Sequence, residues 1–346
     1  MLNNTHISRL IAISGVLFTI DVSANEIRQT TLIEASSEPV PISEMIDGWE
    51  GNASNADLAY ADGRLQLSAE YSNVVVGVER RWYYRFGFTP DTVDWYLALD
   101  NGDEFNRQAP IKFDVSSFDS RGVFFGYKFD FDQLQVTPTF TLYKIGSYQF
   151  GKVNGLAFPG TGRNASVFLD YHYDEDKLLE YNPDVGERYG YSLNVDLQWR
   201  PNDQFDVSLQ VRDLWNLIEL NQSAYQTGCI NFGDIDQNVC VTERATVEGE
   251  FRTENYSTSI PLSLDGRVKH RSGWSAEGYL HDDYYRLTLG KSLQVGNTEV
   301  TLLASSLQQA GVRATWRGLS VEYQADDLRF EQVSDARLLM DFRLGW

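Results

Sequence analysis

The stretch Leu338-Leu339-Met340-Asp341-Phe342-Arg343-Leu344-Gly345-Trp346 puts an apolar residue at every even position and mostly polar residues between them. Side chains on a strand alternate faces with a period of two, so this stretch predicts a strand with one face on lipid and the other on a wet interior. A helix would repeat its apolar positions near 3.6 instead. The same alternation runs upstream: Tyr191, Leu193, Val195, Leu197 and Trp199 alternate with Ser192, Asn194, Asp196, Gln198 and Arg200. Pro201 to Gln204 then turns the chain into Phe205, Val207, Leu209 and Val211. Tight turns at Ser272-Gly273, Gly296-Asn297 and Arg317-Gly318 join further alternating runs. Pro261 falls inside one of them, near Thr258 to Leu264, and predicts an irregularity because proline has no ladder donor.

Composition agrees with a barrel. The 346 residues include 19 Tyr, 19 Phe and 8 Trp, while mean hydropathy is −0.36. A negative mean contradicts a bundle of membrane helices and suits a barrel, where only alternate residues meet lipid and aromatic girdles mark the interfaces. The formal charge of −20 argues against a nucleic-acid partner, which requires a basic surface. Leu10 to Ile20 is apolar, follows Arg9, and precedes Val22-Ser23-Ala24, so residues 1–24 are expected to be a secretory signal peptide. Cys229 and Cys240 share one polar segment, and in an exported chain they are expected to form a local disulfide.

The terminal strand also resembles the C-terminal signature of Gram-negative outer-membrane β-barrels, with Phe342, Leu344 and Trp346 as its key positions. The resemblance implies an outer-membrane location, recognition of the last strand by the barrel-assembly machinery, and contact with outer-membrane lipid and lipopolysaccharide.

Bacterial barrels have short periplasmic turns and longer outer loops. Placing Trp346 in the periplasm puts Arg317-Gly318, Gly296-Asn297, Ser272-Gly273 and Pro201 to Gln204 on that side, and the long segments Asn221 to Thr242 and Asp174 to Arg188 outside. A soluble β-sandwich, the serious alternative, gives no reason for this parity. Towards the N-terminus the parity fails at Asp132-Gln133, which indicates one miscounted strand between Lys144 and Gly162. The expectation is an all-β, antiparallel transmembrane β-barrel of about 14 to 16 strands over residues 58–346. Residues 25–57 lack alternation and are expected to be a periplasmic lead-in or short plug.

Parity points Arg200, Arg212, Arg286, Arg313, Arg317 and Arg343 inward, with Asp196, Asp206, Glu322 and Asp341. Arginines on one wall facing carboxylates on another would select small polar or charged solutes by a transverse field. The leading expectation is a porin-like channel, with the monomeric OmpG-like and oligogalacturonate-channel families as analogues of size. The alternative is a structural or surface-assembly barrel whose lumen is filled by paired charges and bulky side chains. Acidic segments at 174–187 and 234–254 lack the spacing of a calcium loop and are expected to be solvated, so neither a metal nor a cofactor is assigned. A hydrolase is disfavoured, because His172, His270 and His281 have no nucleophile-elbow serine.

Overall fold

The computed structural model describes residues 25–47, 56–161, 164–175, 183, 185–232 and 248–345. They form one antiparallel ring of fourteen strands. These are β1 (Glu26–Ser37), β2 (Leu58–Tyr71), β3 (Val74–Phe88), β4 (Ala109–Tyr127), β5 (Leu134–Ala157), β6 (Ala165–Tyr173 and Arg188–Asn202) and β7 (Phe205–Phe232). The ring continues through β8 (Glu248–Thr258 and Ser263–His270), β9 (Trp274–His281), β10 (Tyr284–Val295), β11 (Thr298–Ser305), β12 (Ala310–Trp316), β13 (Leu319–Ala325) and β14 (Asp335–Gly345). Each strand pairs with its sequence neighbours. β1 closes the ring against β14, from Glu26 opposite Gly345 to Ser36 opposite Asp335. A closed ladder satisfies every strand internally and leaves no edge, the condition for crossing a bilayer as sheet.

The two faces are inverted relative to a soluble protein. Leu67, Val78, Phe125, Leu287, Leu289 and Leu302 are exposed, while Glu34, Asp62, Arg81, Arg286 and Glu322 are buried. Apolar side chains outside and polar ones inside are what a lipid solvent selects. None of the described helices is long and apolar enough to cross a membrane. Connections at 72–73, 128–133, 203–204, 271–273, 296–297 and 317–318 share one end with Glu26 and Gly345. The opposite end carries the long connections, including helices α1 (Ile42–Asp47) and α2 (Pro90–Asn101). Thr89 caps α2 by accepting from the Thr92 N–H, and Gly102 ends it at φ 72°. Short turns mark the end near the termini as periplasmic.

Two sequence expectations are corrected. Glu26–Ser37 is a wall strand and not a lead-in or plug, and α1 lies at the far end. Its outward row pairs Ile27, Gln29, Thr31 and Ile33 with the outward residues of β14, so two polar residues on the lipid side hid the alternation. The stretches on either side of Asp174 to Arg188 are not two neighbouring strands but two halves of one strand, β6. Both halves of β6 pair with β5, Ala165–Tyr173 against Ala157–Gln149 and Tyr189–Trp199 against Lys144–Leu134. Counting the halves as two strands produced the parity failure. The turn at Asp132-Gln133 does lie at the periplasmic end, where the Arg200 N–H donates to the Gln133 carbonyl at 2.8 Å. The irregularity expected at Pro261 is present as the break between the halves of β8.

Candidate functional site

The inward face carries the chemistry, and midway along the barrel it closes on itself. Arg64 and Arg81, from β2 and β3, each bond both Asp62 and Asp213. The distances are 2.8 and 3.1 Å for Arg64 and 3.0 and 2.9 Å for Arg81. Asp213 comes from β7, at a register shift and with φ 56°. That positive φ, which Asp tolerates better than most residues, turns the residue after inward Arg212 inward as well. Ser192 donates to Asp213 at 2.9 Å, and the Asp213 N–H donates to Asn194 at 2.9 Å.

Beside this square runs a chain of four arginines and four carboxylates. Arg286 bonds Glu34 at 2.8 Å; Arg337 bonds Glu34 at 2.6 Å, Glu322 at 3.0 Å and Asp265 at 2.8 Å. Arg313 grips Glu277 with two bonds of 2.7 Å and also bonds Glu322, and Arg267 reaches Glu277 at 3.1 Å. Both groups are formally neutral. A buried carboxylate or guanidinium is tolerable only when paired and hydrogen-bonded, and here each has at least one charged partner.

A tyrosine layer covers the charges on the outer side. Two residues farther from the periplasmic end, on the same face, Asp62 is followed by Tyr60, Arg81 by Tyr83, Glu277 by Tyr279 and Arg286 by Tyr284. Phe118, Tyr143, Ile145, Tyr148, Phe150, Ile218 and Leu220 complete a buried cluster with them. The Tyr60 and Tyr279 hydroxyls meet at 2.6 Å, and the Tyr83 hydroxyl lies 3.0 Å from His281 Nε2. β2 and β9 are seven strands apart in a ring of fourteen, and the Arg337–Asp265 pair spans six. A circular ring of this size is too wide for side chains to fill. The walls are therefore pressed together at this level into a septum.

Of the sequence-predicted residues, Arg286, Arg313 and Glu322 lie in the septum. Arg212 pairs with Asp196 at 3.2 Å on the periplasmic side of it, and Arg200 pairs with Asp206 at 3.2 Å at the rim. Arg343 bonds Asp341 at 3.0 Å, and Arg28 shares the same carboxylate at 2.6 Å. Opposite charges are interleaved at bonding distance, not segregated on facing walls. Arg317 is a correction: it sits in the β12–β13 turn at φ 51°, its guanidinium 5.1 Å from the Trp316 ring centroid, and does not line the lumen. Sequence reading missed Glu34, Asp62, Arg64, Arg81, Asp213, Asp265, Glu277 and Arg337. Cys229 is near the outer end of β7, and Cys240 lies outside the described residues. Phe342 and Leu344 are exposed on β14, and residue Trp346 and the segment 1–24, expected to be a signal peptide, also lie outside the described residues. His172 stacks on Tyr225 and Tyr256, with Glu254 at 3.6 Å, and His270 contacts Ser272 near the periplasmic turn.

The wall itself is broken twice beside the tyrosine layer, on either side of β7. Where β6 is interrupted, the Tyr148 N–H donates to the Asp174 carboxylate at 2.9 Å and the Asn221 N–H donates to the Glu187 carbonyl at 3.1 Å. Where β8 is interrupted, Asn216 bonds both the N–H and the carbonyl of Ile260 at 2.8 Å. Side chains thus satisfy backbone groups that the ladder has released.

No protein-family model and no curated protein matches the sequence. Among solved structures, the Pseudomonas putida toluene transporter TodX is similar at 8% identity and TM-score 0.46, over 94% of this chain and 91% of that one. The translocator domain of the autotransporter NalP from Neisseria meningitidis gives 8% identity and TM-score 0.30, over 94% and 90%. With its closed ladder, apolar outer belt and short-turn periplasmic end, the protein is an integral β-barrel of the Gram-negative outer membrane.

Proposed function

We propose that this barrel is closed to ions along its axis and does not act as an open general porin. The observation that carries this reading is the direct meeting of opposite walls, Tyr60 with Tyr279 and Arg337 with Asp265. The charges of the septum are paired and sum to zero except for Glu79, a buried carboxylate held by the Tyr143 hydroxyl at 2.6 Å and by Gln66, so a passing ion meets packed side chains in place of an open aqueous path. Its role would then be that of a solid barrel presenting its outer connections and helices to partners at the cell surface. Proteoliposomes containing the folded protein are expected to hold a potassium gradient as long as protein-free vesicles do; rapid collapse of the gradient would contradict the reading.

A second reading is favoured by the two wall breaks. Ile145, Tyr148, Ile218, Leu220 and Ile260 of the buried apolar cluster adjoin them, so a small apolar solute could pass between this layer and lipid while ions stay excluded. Faster entry of a small aromatic hydrocarbon into the same ion-tight vesicles would support it, and entry at the rate of empty vesicles would count against it.

Further elements of the proposal rest on sequence. Residues 1–24 are a cleaved export signal, and the barrel begins at Glu26. Cys229 and Cys240 form a disulfide at the outer end, supported by their proximity in sequence and by the oxidising compartment. Phe342, Leu344 and Trp346 present the last strand to the assembly machinery. Lipopolysaccharide surrounds the outer half of the wall.

A further inference from the structure

Cations in this acidic protein are, with few exceptions, held by carboxylates. Among the described residues Arg80, Arg121, Lys144, Lys152, Arg271, Lys291 and Arg317 lack an ion-pair partner. Arg271, Lys291 and Arg317 belong to the periplasmic end, and Lys152, higher on β5, lies opposite Asp114 on β4 and Asp170 on β6. The remaining three are neighbours. Arg80 on β3 lies directly opposite Arg121 on β4, and Arg121 lies directly opposite Lys144 on β5. All three are exposed and occupy the lipid-facing parity of their strands. Like charges facing each other across a strand pair are destabilising, so the row calls for an anion that the described chain does not provide.

Its level identifies the anion. Below the row, towards the periplasm, the same outward positions are Val76 and Val78 on β3, Val123 and Phe125 on β4, and Phe140 and Leu142 on β5, all exposed. Above it on β3 stand Trp82 and Tyr84, the residue types of an interfacial girdle, and the Arg80 guanidinium lies 4.6 Å from the Trp82 ring centroid. Among the described residues two carboxylates lie near this level: Asp119 accepts from both the N–H and the hydroxyl of Ser147, at 2.6 and 2.7 Å, and exposed Glu187 accepts at 3.1 Å from the hydroxyl of Tyr189, the residue opposite Lys144 on β6. We propose that Arg80, Arg121 and Lys144 bind the phosphates of a lipid A molecule in the outer leaflet, with its acyl chains lying on the apolar positions beneath. Guanidinium groups suit phosphate because they donate two parallel bonds. The site faces away from the lumen, so it stands whether or not the barrel conducts.

The test uses the full folded protein in detergent and measures its binding of bis-phosphorylated lipid A, dephosphorylated lipid A and phosphatidylglycerol. Bis-phosphorylated lipid A is expected to bind at least about tenfold tighter than either of the others, and millimolar inorganic phosphate should not displace it. Arg80→Gln/Arg121→Gln/Lys144→Gln should lose that preference while keeping the heat-modifiable gel mobility of a folded barrel. Equal binding of the two lipid A forms would overturn the proposal, as would displacement by free phosphate, equal binding of phosphatidylglycerol, or an undiminished preference in the folded variant. If the triple variant fails to fold, the lipid series on the natural protein together with Arg121→Gln alone decides the matter.

Discussion

Ion pairs of the same residue types do opposite things at two levels of this barrel. At the periplasmic rim Arg200 and Asp206 keep 77% and 46% of their side-chain surface, while in the septum Arg286 and Glu34 keep 2% and 0%. The rim pair is solvated, so forming it returns little and breaking it leaves two groups that water still satisfies. The septum pair has no water to fall back on, so each charge depends on its partner. Burial, more than the presence of an arginine beside a carboxylate, decides whether a pair merely decorates a wall or holds two walls together.

The largest loss is expected at Asp213. Asp213→Ala takes one of two carboxylates from both Arg64 and Arg81, and an uncompensated buried charge costs on the order of 3–5 kcal/mol. Denaturant titration of the folded protein in lipid should show that loss, and an unchanged midpoint would mean that water reaches the arginines. A smaller effect is expected from Tyr60→Phe, which removes one hydroxyl of the 2.6 Å contact and should cost about 1 kcal/mol. Combined with Tyr279→Phe, the costs should fall short of additivity, because the two hydroxyls serve each other. Strict additivity would indicate that the walls do not meet there. The smallest effect belongs to the rim, where Asp206→Ala should change stability by no more than about 1 kcal/mol, and less at high salt. A loss there as large as that at Asp213 would erase the distinction between the two levels.

The sequence revealed this architecture unevenly, for physical reasons. β9 to β14 were legible because their lipid face is apolar and their lumen face polar, so period two stands out. β1 was not, since Gln29 and Thr31 occupy its lipid face. β6 misled because a long polar insertion in sequence between its two halves reads like a connection between two strands. Parity alone placed Arg286, Arg313 and Glu322 on the inside. What parity cannot supply is the partner: Glu34 and Arg286 are separated by 252 positions and meet only because the ring is flattened. One signal was available. Tyr60-Ala61-Asp62, Arg81-Trp82-Tyr83, Glu277-Gly278-Tyr279 and Tyr284-Tyr285-Arg286 each put a tyrosine and a charge on one face, the repeat from which the two layers of the septum are built.

The septum is tested most directly by single-channel current through the folded barrel in a planar bilayer, before and after a neutral cut. Glu34→Ala/Arg337→Ala removes one cation and one anion, leaves the formal charge of the chain unchanged, and severs the link between β1, β14 and β8. The natural protein is expected to show no steady current and the double variant discrete openings. Steady current through the natural protein, unchanged in the variant, would contradict a closed septum.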